Sequence, residues 1–161
     1  MGLNLGVRAH DLCSDGTVDE LVSSVSSFGF SNIQLVFKKS FRDFSYEPGF
    51  VSEVVSKLGS KDISVAMLGA YFNPVHSKRS VVEDGILNFK KNLELSHAFP
   101  SLPYVGSETG SYNDSPWIYV PRNQTEEGYQ QTKKVFMDLK DYAESISSRM
   151  AIESAWGHVI Y

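Results

Sequence analysis

Near the carboxyl end, Arg149-Met150-Ala151-Ile152-Glu153-Ser154-Ala155-Trp156-Gly157-His158 sets one carboxylate at the exit of a short apolar run, followed closely by an indole, a glycine and an imidazole. A carboxylate leaving a buried strand is costly to desolvate unless a cation or a hydrogen-bond donor meets it. Glu153 is therefore the first candidate for general-base or metal-ligand chemistry. The competing reading is a carboxylate that caps the next turn or pairs with a nearby Lys or Arg. Other reactive groups gather where strands are expected to end: Arg8 and His10, Lys38 and Lys39, Asn73 and His76, Glu108, and then Glu153 with Trp156 and His158. His10 also reads as a core histidine bonded to backbone, His76 as an exposed loop residue after Pro74, and the two lysines as a solvated rim. His97, at a helix end, is explained by the helix dipole. Glu108 and Glu153 gain weight as a pair, because adjacent parallel strands end about 5 Å apart. Two carboxylates there, with imidazoles nearby, suit a hard-cation or mixed nitrogen–oxygen site for Mn²⁺, Mg²⁺ or Zn²⁺.

The elements that must position these groups follow from periodicity. Leu3 to Ala9 reads as a buried strand. Thr17-Val18-Asp19-Glu20 is a capping box, and Val18, Leu21, Val22, Val25 and Phe28 recur at helical spacing up to the left-handed stop at Gly29. Ile33 to Phe37 lacks polar alternation, as expected of a strand covered on both faces. A long charged loop, Lys38 to Glu47, leads to Pro48 and a helix with Val51, Val54, Val55 and Leu58 on one face, ending at Gly59. Ile63 to Leu68 is the third strand, followed by the loop Gly69 to His76. Ser80-Val81-Val82-Glu83 reads as a second capping box, before a stripe of Val82, Ile86, Phe89 and Leu93. Gly85 inside that stripe costs about 1 kcal/mol relative to Ala. Tyr104 to Gly106 is a fourth strand. Thr125 caps a long helix carrying Val135, Phe136, Leu139, Tyr142, Ala143 and Ile146, and Met150 to Ile152 is a fifth, buried strand.

Five strands alternating with four amphipathic helices, without hairpin signals, predict an α/β fold of parallel βα repeats with right-handed crossovers. Trp156 to Tyr161 follow the fifth strand with no fifth helix. The alternatives are an open five-stranded sheet or the amino-terminal five-eighths of an eight-stranded barrel, which needs about 250 residues. A chain ending on Val159-Ile160-Tyr161 favours the truncated barrel, since termini are usually polar.

Composition narrows the function classes. The 161 residues are 42% hydrophobic and 21% charged, ordinary for one globular domain, and the net charge of −4 offers no footprint for nucleic acid or an anionic membrane. The single cysteine, Cys13, excludes an internal disulfide and a multi-cysteine zinc site, and fits a reducing cytoplasm. The first residues lack an apolar signal core, position 6 is Gly where a myristoylation motif wants Ser or Thr, and no apolar run approaches the ~18–20 residues of a membrane span. No GxGxxG, GxxxxGK[ST] or GxSxG occurs, and Gly106-Ser107-Glu108-Thr109-Gly110 is only an echo of the last, with a carboxylate in the middle.

The chain resembles the sugar phosphate isomerase/epimerase group, the xylose isomerase-like TIM barrels. The resemblance is carried by Leu5-Gly6-Val7-Arg8, Gly69-Ala70-Tyr71-Phe72-Asn73-Pro74 with His76, Val105-Gly106-Ser107-Glu108-Thr109-Gly110, and Ala151-Ile152-Glu153 with Trp156-Gly157-His158. It implies that residues 1–161 form a single, partial (β/α)8 domain truncated after strand five. It also implies a divalent-metal-dependent (Mn, Mg, Co or Zn) sugar or sugar phosphate isomerase or epimerase, working by proton transfer through an enediolate. Glu153 takes the place of the family's strand-five glutamate, a metal ligand and one of two acid/base carboxylates. His10, Asn73, His76, Glu108, Trp156 and His158 are the expected substrate-binding residues. The remaining ligands of that family, an Asp, a His and a second Glu, come from strands six to eight, so the metal site is expected to be incomplete and the chain inactive alone. The expected ligand is a small sugar or sugar phosphate, with no nucleic acid and no membrane. Two readings compete. One is a non-catalytic half-barrel that completes its sheet by homo-oligomerisation, because bare strand edges pair with something. The other is an endonuclease IV-like metal phosphodiesterase, which four histidines and an acidic balance disfavour.

Overall fold

A computed structural model describes residues 5–113, 115 and 118–160. Leu3, expected to open the first strand, lies outside these residues. The chain forms two compact units, one running to Gly69 together with Ser96–Tyr104, the other comprising Ala70–Leu95 and the residues from Val105 onward.

In the first unit β1 (Gly6–Arg8), β2 (Asn32–Leu35) and β3 (Ser64–Gly69) pair in parallel, with Val7 opposite Ile33 and Ile33 opposite Val65. Two one-turn helices that periodicity does not announce, α1 (Ala9–Leu12) and α3 (Phe37–Ser40), follow β1 and β2 directly. The longer α2 (Val18–Ser27) and α4 (Pro48–Gly59) make the crossovers. The capping box on α2 forms as expected, with Thr17 and Glu20 each satisfying the other's backbone N–H. Val18, Leu21, Val22 and Val25 are buried, and Gly29 adopts the left-handed turn (φ +74). Phe28 is not part of this face; it is 66% exposed.

The strands are covered less than expected. In β1, Gly6 and Arg8 are exposed and Val7 is half-buried. In β2, Ile33 and Leu35 are buried while Asn32 and Gln34 are only partly so. The residues facing the helices are buried, and those on the opposite face of the same strands remain open. The Lys38–Glu47 segment is also more than a charged loop. Phe37 and Phe41 are buried and form a cluster with Phe44 and Phe50, with ring centroids 5.0–6.5 Å apart. Aromatic rings at these separations take tilted or edge-on contacts that add to their area burial.

The second unit holds α5 (Arg79–Leu95), β4 (Tyr104–Glu108), α6 (Glu126–Ser145) and β5 (Met150–Glu153), with a 3-10 turn at Pro121–Gln124. Helix α5 begins at Arg79, so Ser80 lies within it and the expected capping box at Ser80–Glu83 does not form; Glu83 instead pairs with Arg79 at 2.7 Å. Thr125 does cap α6, accepting from Gly128 N–H. Phe89 and Leu93 of α5 and Phe136, Leu139 and Ala143 of α6 are buried, and Phe72 packs between Phe89 and Phe136. Gly85 now has a reason to be in the helix. A Cβ there would lie 2.5–2.7 Å from the Phe72 side chain. Gly85→Ala is therefore expected to lower stability by roughly 1–3 kcal/mol through overpacking, despite a helix-propensity gain of about 1 kcal/mol. Urea denaturation checks this, and an unchanged midpoint would mean that Phe72 swings aside.

Strand β5 differs from the buried run expected of it. Met150 and Ala151 are half-buried, Ile152 is 39% exposed and Glu153 is exposed. Among the described residues no helix is long and apolar enough to cross a membrane.

Candidate functional site

Parallel pairing of β4 with β5 places Val105 opposite Met150, Gly106 opposite Ala151, Ser107 opposite Ile152, and Glu108 opposite Glu153. Residues in register on neighbouring strands project to the same side of the sheet. The two carboxylates therefore stand side by side at the carboxyl ends of both strands. Glu108 is half-buried and Glu153 exposed. The third member of the group arrives from beyond β5. His158 is 1% exposed, and its Nε2 lies 3.9 Å from Glu108 Oε2.

The segment carrying His158 folds back over the exit of β4. His158 N–H donates to Ala155 O (3.0 Å) and Val159 N–H to Gly110 O (2.9 Å). The Thr109 hydroxyl donates to Ile160 O at 2.9 Å and accepts from Ile160 N–H at 3.2 Å. This doubly bonded contact buries Thr109 and Val159.

Burial pushes the His158 imidazole below its ordinary value of 6.5, against the opposing pull of the Glu108 and Glu153 charges. His10 is likewise lowered, first by burial and then by the nearby Lys39 and Arg8 cations, with Asp11 opposing. Both rings are thus neutral near pH 7 and able to donate from one nitrogen and accept at the other. The linkage has a definite sign. A depressed histidine binds fewer protons folded than unfolded, so its contribution is fully present above 6.5 and is lost as pH falls below that through the folded-state value. The urea midpoint is expected to drop between about pH 7.5 and about pH 5, with a shallower drop in His158→Gln. An identical pH slope in that variant would count against a buried, neutral His158.

The other expected site residues fall into two groups. Trp156 sits between Glu153 and His158 in sequence and is 72% exposed. In the loop after β3, the Asn73 side chain makes three hydrogen bonds: Nδ2 donates to Ser111 O (2.6 Å), and Oδ1 accepts from Val75 N–H (3.1 Å) and Ser111 N–H (3.2 Å). Asn73 braces its loop. Three residues on, half-buried His76 accepts at Nδ1 from Lys78 N–H at 3.0 Å. His10 belongs to the first unit, in α1 at the end of β1. Its Nε2 is 4.0 Å from Asp11, and its buried Nδ1 has no hydrogen bond among the described residues. Asp11 itself forms a two-bond pair with Arg8, at 2.8 and 3.2 Å.

Two carboxylate oxygens side by side, with a neutral imidazole behind them, are the donor types a hard divalent cation takes. They supply part of a shell. Among the described residues no three His, Cys, Asp or Glu side chains converge on a single ion position. Sequence reasoning missed the buried polar residues that hold this corner together, Ser111 and Asn123. Neither falls on a periodic face, and no local signal marks a loop asparagine for burial.

Neither a protein-family model nor a curated protein sequence matches the chain. Solved structures do. A xylose isomerase-like TIM barrel protein from Mycobacterium smegmatis, in complex with magnesium, matches with a TM-score of 0.70 at 10% identity, over 96% of this chain and 56% of its own. The fold is that of part of a xylose isomerase-like TIM barrel. A 3-keto-D-glucoside 4-epimerase from E. coli matches with a TM-score of 0.71 at 10% identity, over 98% of this chain and 58% of its own. A D-allulose 3-epimerase from Methylomonas sp. in complex with D-allulose gives 0.62 at 14% identity, over 93% and 50%. The chain spans about half the length of these barrel proteins. Its five parallel strands and the four longer helices are those expected of five successive βα units.

Proposed function

We propose that this chain carries the strand-four and strand-five part of the active site of a divalent-metal sugar, or sugar phosphate, isomerase or epimerase. The observation that carries the reading is the register of Glu108 with Glu153 at the carboxyl ends of β4 and β5, with His158 packed beside them. In parallel βα barrels that end of the strands is where sites form. Support comes from the fold, which is shared with two sugar epimerases and with a barrel protein crystallised with magnesium.

In this reading Glu153 is both a ligand of the ion and the base that removes a proton from the carbon next to the sugar carbonyl. The bound ion, whether Mn, Mg, Co or Zn, supplies positive charge to the oxygen on which negative charge develops. Glu153 then holds the proton while electron density moves from the broken C–H bond into the carbonyl, and a second acid returns a proton to the adjacent carbon or the opposite face. Glu108 and His158 orient a hydroxyl at the pair. Trp156 offers an apolar ring face to the sugar, His76 offers an imidazole nitrogen, and Asn73 holds the loop that brings His76. The test is deuterium wash-in from D₂O at the carbon beside the carbonyl of a ketose, with and without Mn²⁺. Mn²⁺-dependent exchange is expected once the barrel is completed through strand eight, and not from these 161 residues by themselves; a completed barrel that neither binds Mn²⁺ nor exchanges any ketose proton rules the reading out.

One observation favours a second reading, a half-barrel that completes its sheet with another copy. Among the described residues β5 pairs only with β4, and its outer positions leave Ile152 and Glu153 exposed. An uncovered strand edge with apolar side chains is a template for pairing. Sedimentation should then show self-association, and a concentration-independent monomer would dismiss it.

A further inference from the structure

Three stretches of the second unit meet at one buried asparagine. Asn123, in the 3-10 turn Pro121–Gln124, is 0% exposed. Its Oδ1 accepts from Tyr112 N–H (2.9 Å), and its Nδ2 donates to Ser111 Oγ (2.9 Å) and to the carbonyl of Gly157. Two amide hydrogens and one carbonyl oxygen are thus all used, on the loop that leaves β4 and on the segment that leaves β5. The turn itself is held by the Arg122 guanidinium, which lies 4.1 Å from the Tyr112 ring centroid.

The position of the Gly157 bond matters more than its number. The Gly157 carbonyl belongs to the peptide that joins Gly157 to His158, so holding it fixes the backbone from which the His158 side chain leaves. On the far side, Thr109 and Gly110 hold Val159 and Ile160 through three further bonds. His158 is therefore clamped from both sides, and its imidazole is kept 3.9 Å from Glu108. A buried hydrogen bond of this kind acts in a low-dielectric setting, where both its strength and the cost of losing it are greater than in water.

We propose that Asn123 is a positioning residue: through the Gly157 carbonyl it holds His158 against Glu108, beside the Glu108–Glu153 pair. The role rests on the reading of that pair as the reacting site, but the geometric part is measurable without it.

The decisive variant is Asn123→Asp. It keeps the size of the side chain and the acceptor for Tyr112 N–H, but replaces the Nδ2 donor with an oxygen facing the Gly157 carbonyl. Amide exchange at Val159 is expected to speed up at least about tenfold, with loss of the nuclear Overhauser contact between the His158 ring and Glu108, while amides of β4 and β5 exchange as before. In a barrel completed through strand eight, deuterium wash-in should show kcat lowered about tenfold with KM changed less than about twofold, since the base remains and only its neighbour is misplaced. Thr109→Val, which releases Ile160 instead, should move the same readouts in the same direction, and serves alone if the first variant does not fold. Leu139→Ala, a core change elsewhere in the unit, should lower the unfolding midpoint without altering the His158–Glu108 contact. Faster exchange at Val159 with an unmoved His158 ring would make Asn123 merely structural and overturn the proposal, as would unchanged exchange at Val159. If the completed barrel with Asn123 unaltered shows no wash-in at all, the proposed reaction fails, while the His158 contact in Asn123→Asp still decides the positioning role.

Discussion

In a barrel completed through strand eight, Glu153→Gln is expected to lower Mn²⁺-dependent proton wash-in by about 10²–10⁴-fold, the range for loss of a general base. The substitution keeps the shape of the side chain and its place at the end of β5, opposite Glu108. It removes the negative charge and the site that receives the proton. Because Glu153 is exposed, stability should change by no more than about 0.5 kcal/mol, the usual scale for surface substitutions. Activity and stability should therefore separate in this variant. Glu108→Gln should behave differently. It leaves the base in place but alters the group beside His158, so its effect on wash-in should be smaller and its effect on the pH dependence of stability larger. Parallel measurements of wash-in and urea midpoints on both variants check this. Equal losses of activity would mean that the two carboxylates act as one unit, and full activity in Glu153→Gln would remove it from the chemistry.

Phe89→Ala is expected to cost about 3–5 kcal/mol, as large aromatic deletions from a packed core do. Phe89 is fully buried in α5, with its ring centroid 6.1 Å from that of Phe72, which in turn lies 5.9 Å from Phe136 of α6. Removing this end of the row takes away one of the two rings that Phe72 packs against, and Gly85 already allows Phe72 its closest approach to α5. Collapse into the cavity is restricted because Phe72 opens the loop bearing Asn73 and His76. The urea midpoint reads the loss directly. A cost below about 1 kcal/mol would show that the site collapses and that the aromatic row is not the core of the unit.

The βα rhythm could be read before any coordinates because it depends on local rules. Thr17 and Glu20 make a capping box from their own side chains and backbone, and the Thr125 hydroxyl caps α6 by accepting from Gly128 N–H. The helical stripes were legible for the same reason, as in Leu21, Val22 and Val25, or Phe136, Leu139 and Ala143. Ser80 shows the limit of such rules. The same motif lies one residue inside α5, where Arg79 takes up Glu83, and a cap signature cannot say which neighbour begins the helix. Phe28 and Ile152 show another limit. An apolar residue in period is buried only if something arrives to cover it, and what arrives is set by distant parts of the chain.

The candidate site divides along the same line. The sequence alone determined the residue types at the strand ends, and the expected lateral closeness of Glu108 and Glu153 followed from the spacing of parallel strands. The Glu108–Glu153 register itself required the pairing of β4 with β5 to be known, since a slip of one residue would send one carboxylate to the other face. Folding alone decided that His158 turns back beneath Glu108, that Asn73 braces a loop, and that Asn123 is the joint holding the β5 exit in place. The Asn123–Gly157 and Asn73–Ser111 contacts link residues 34 and 38 positions apart. Hydrogen bonds of that reach leave no periodic trace, because their partners are chosen by where the backbone comes to rest and not by the residues beside them.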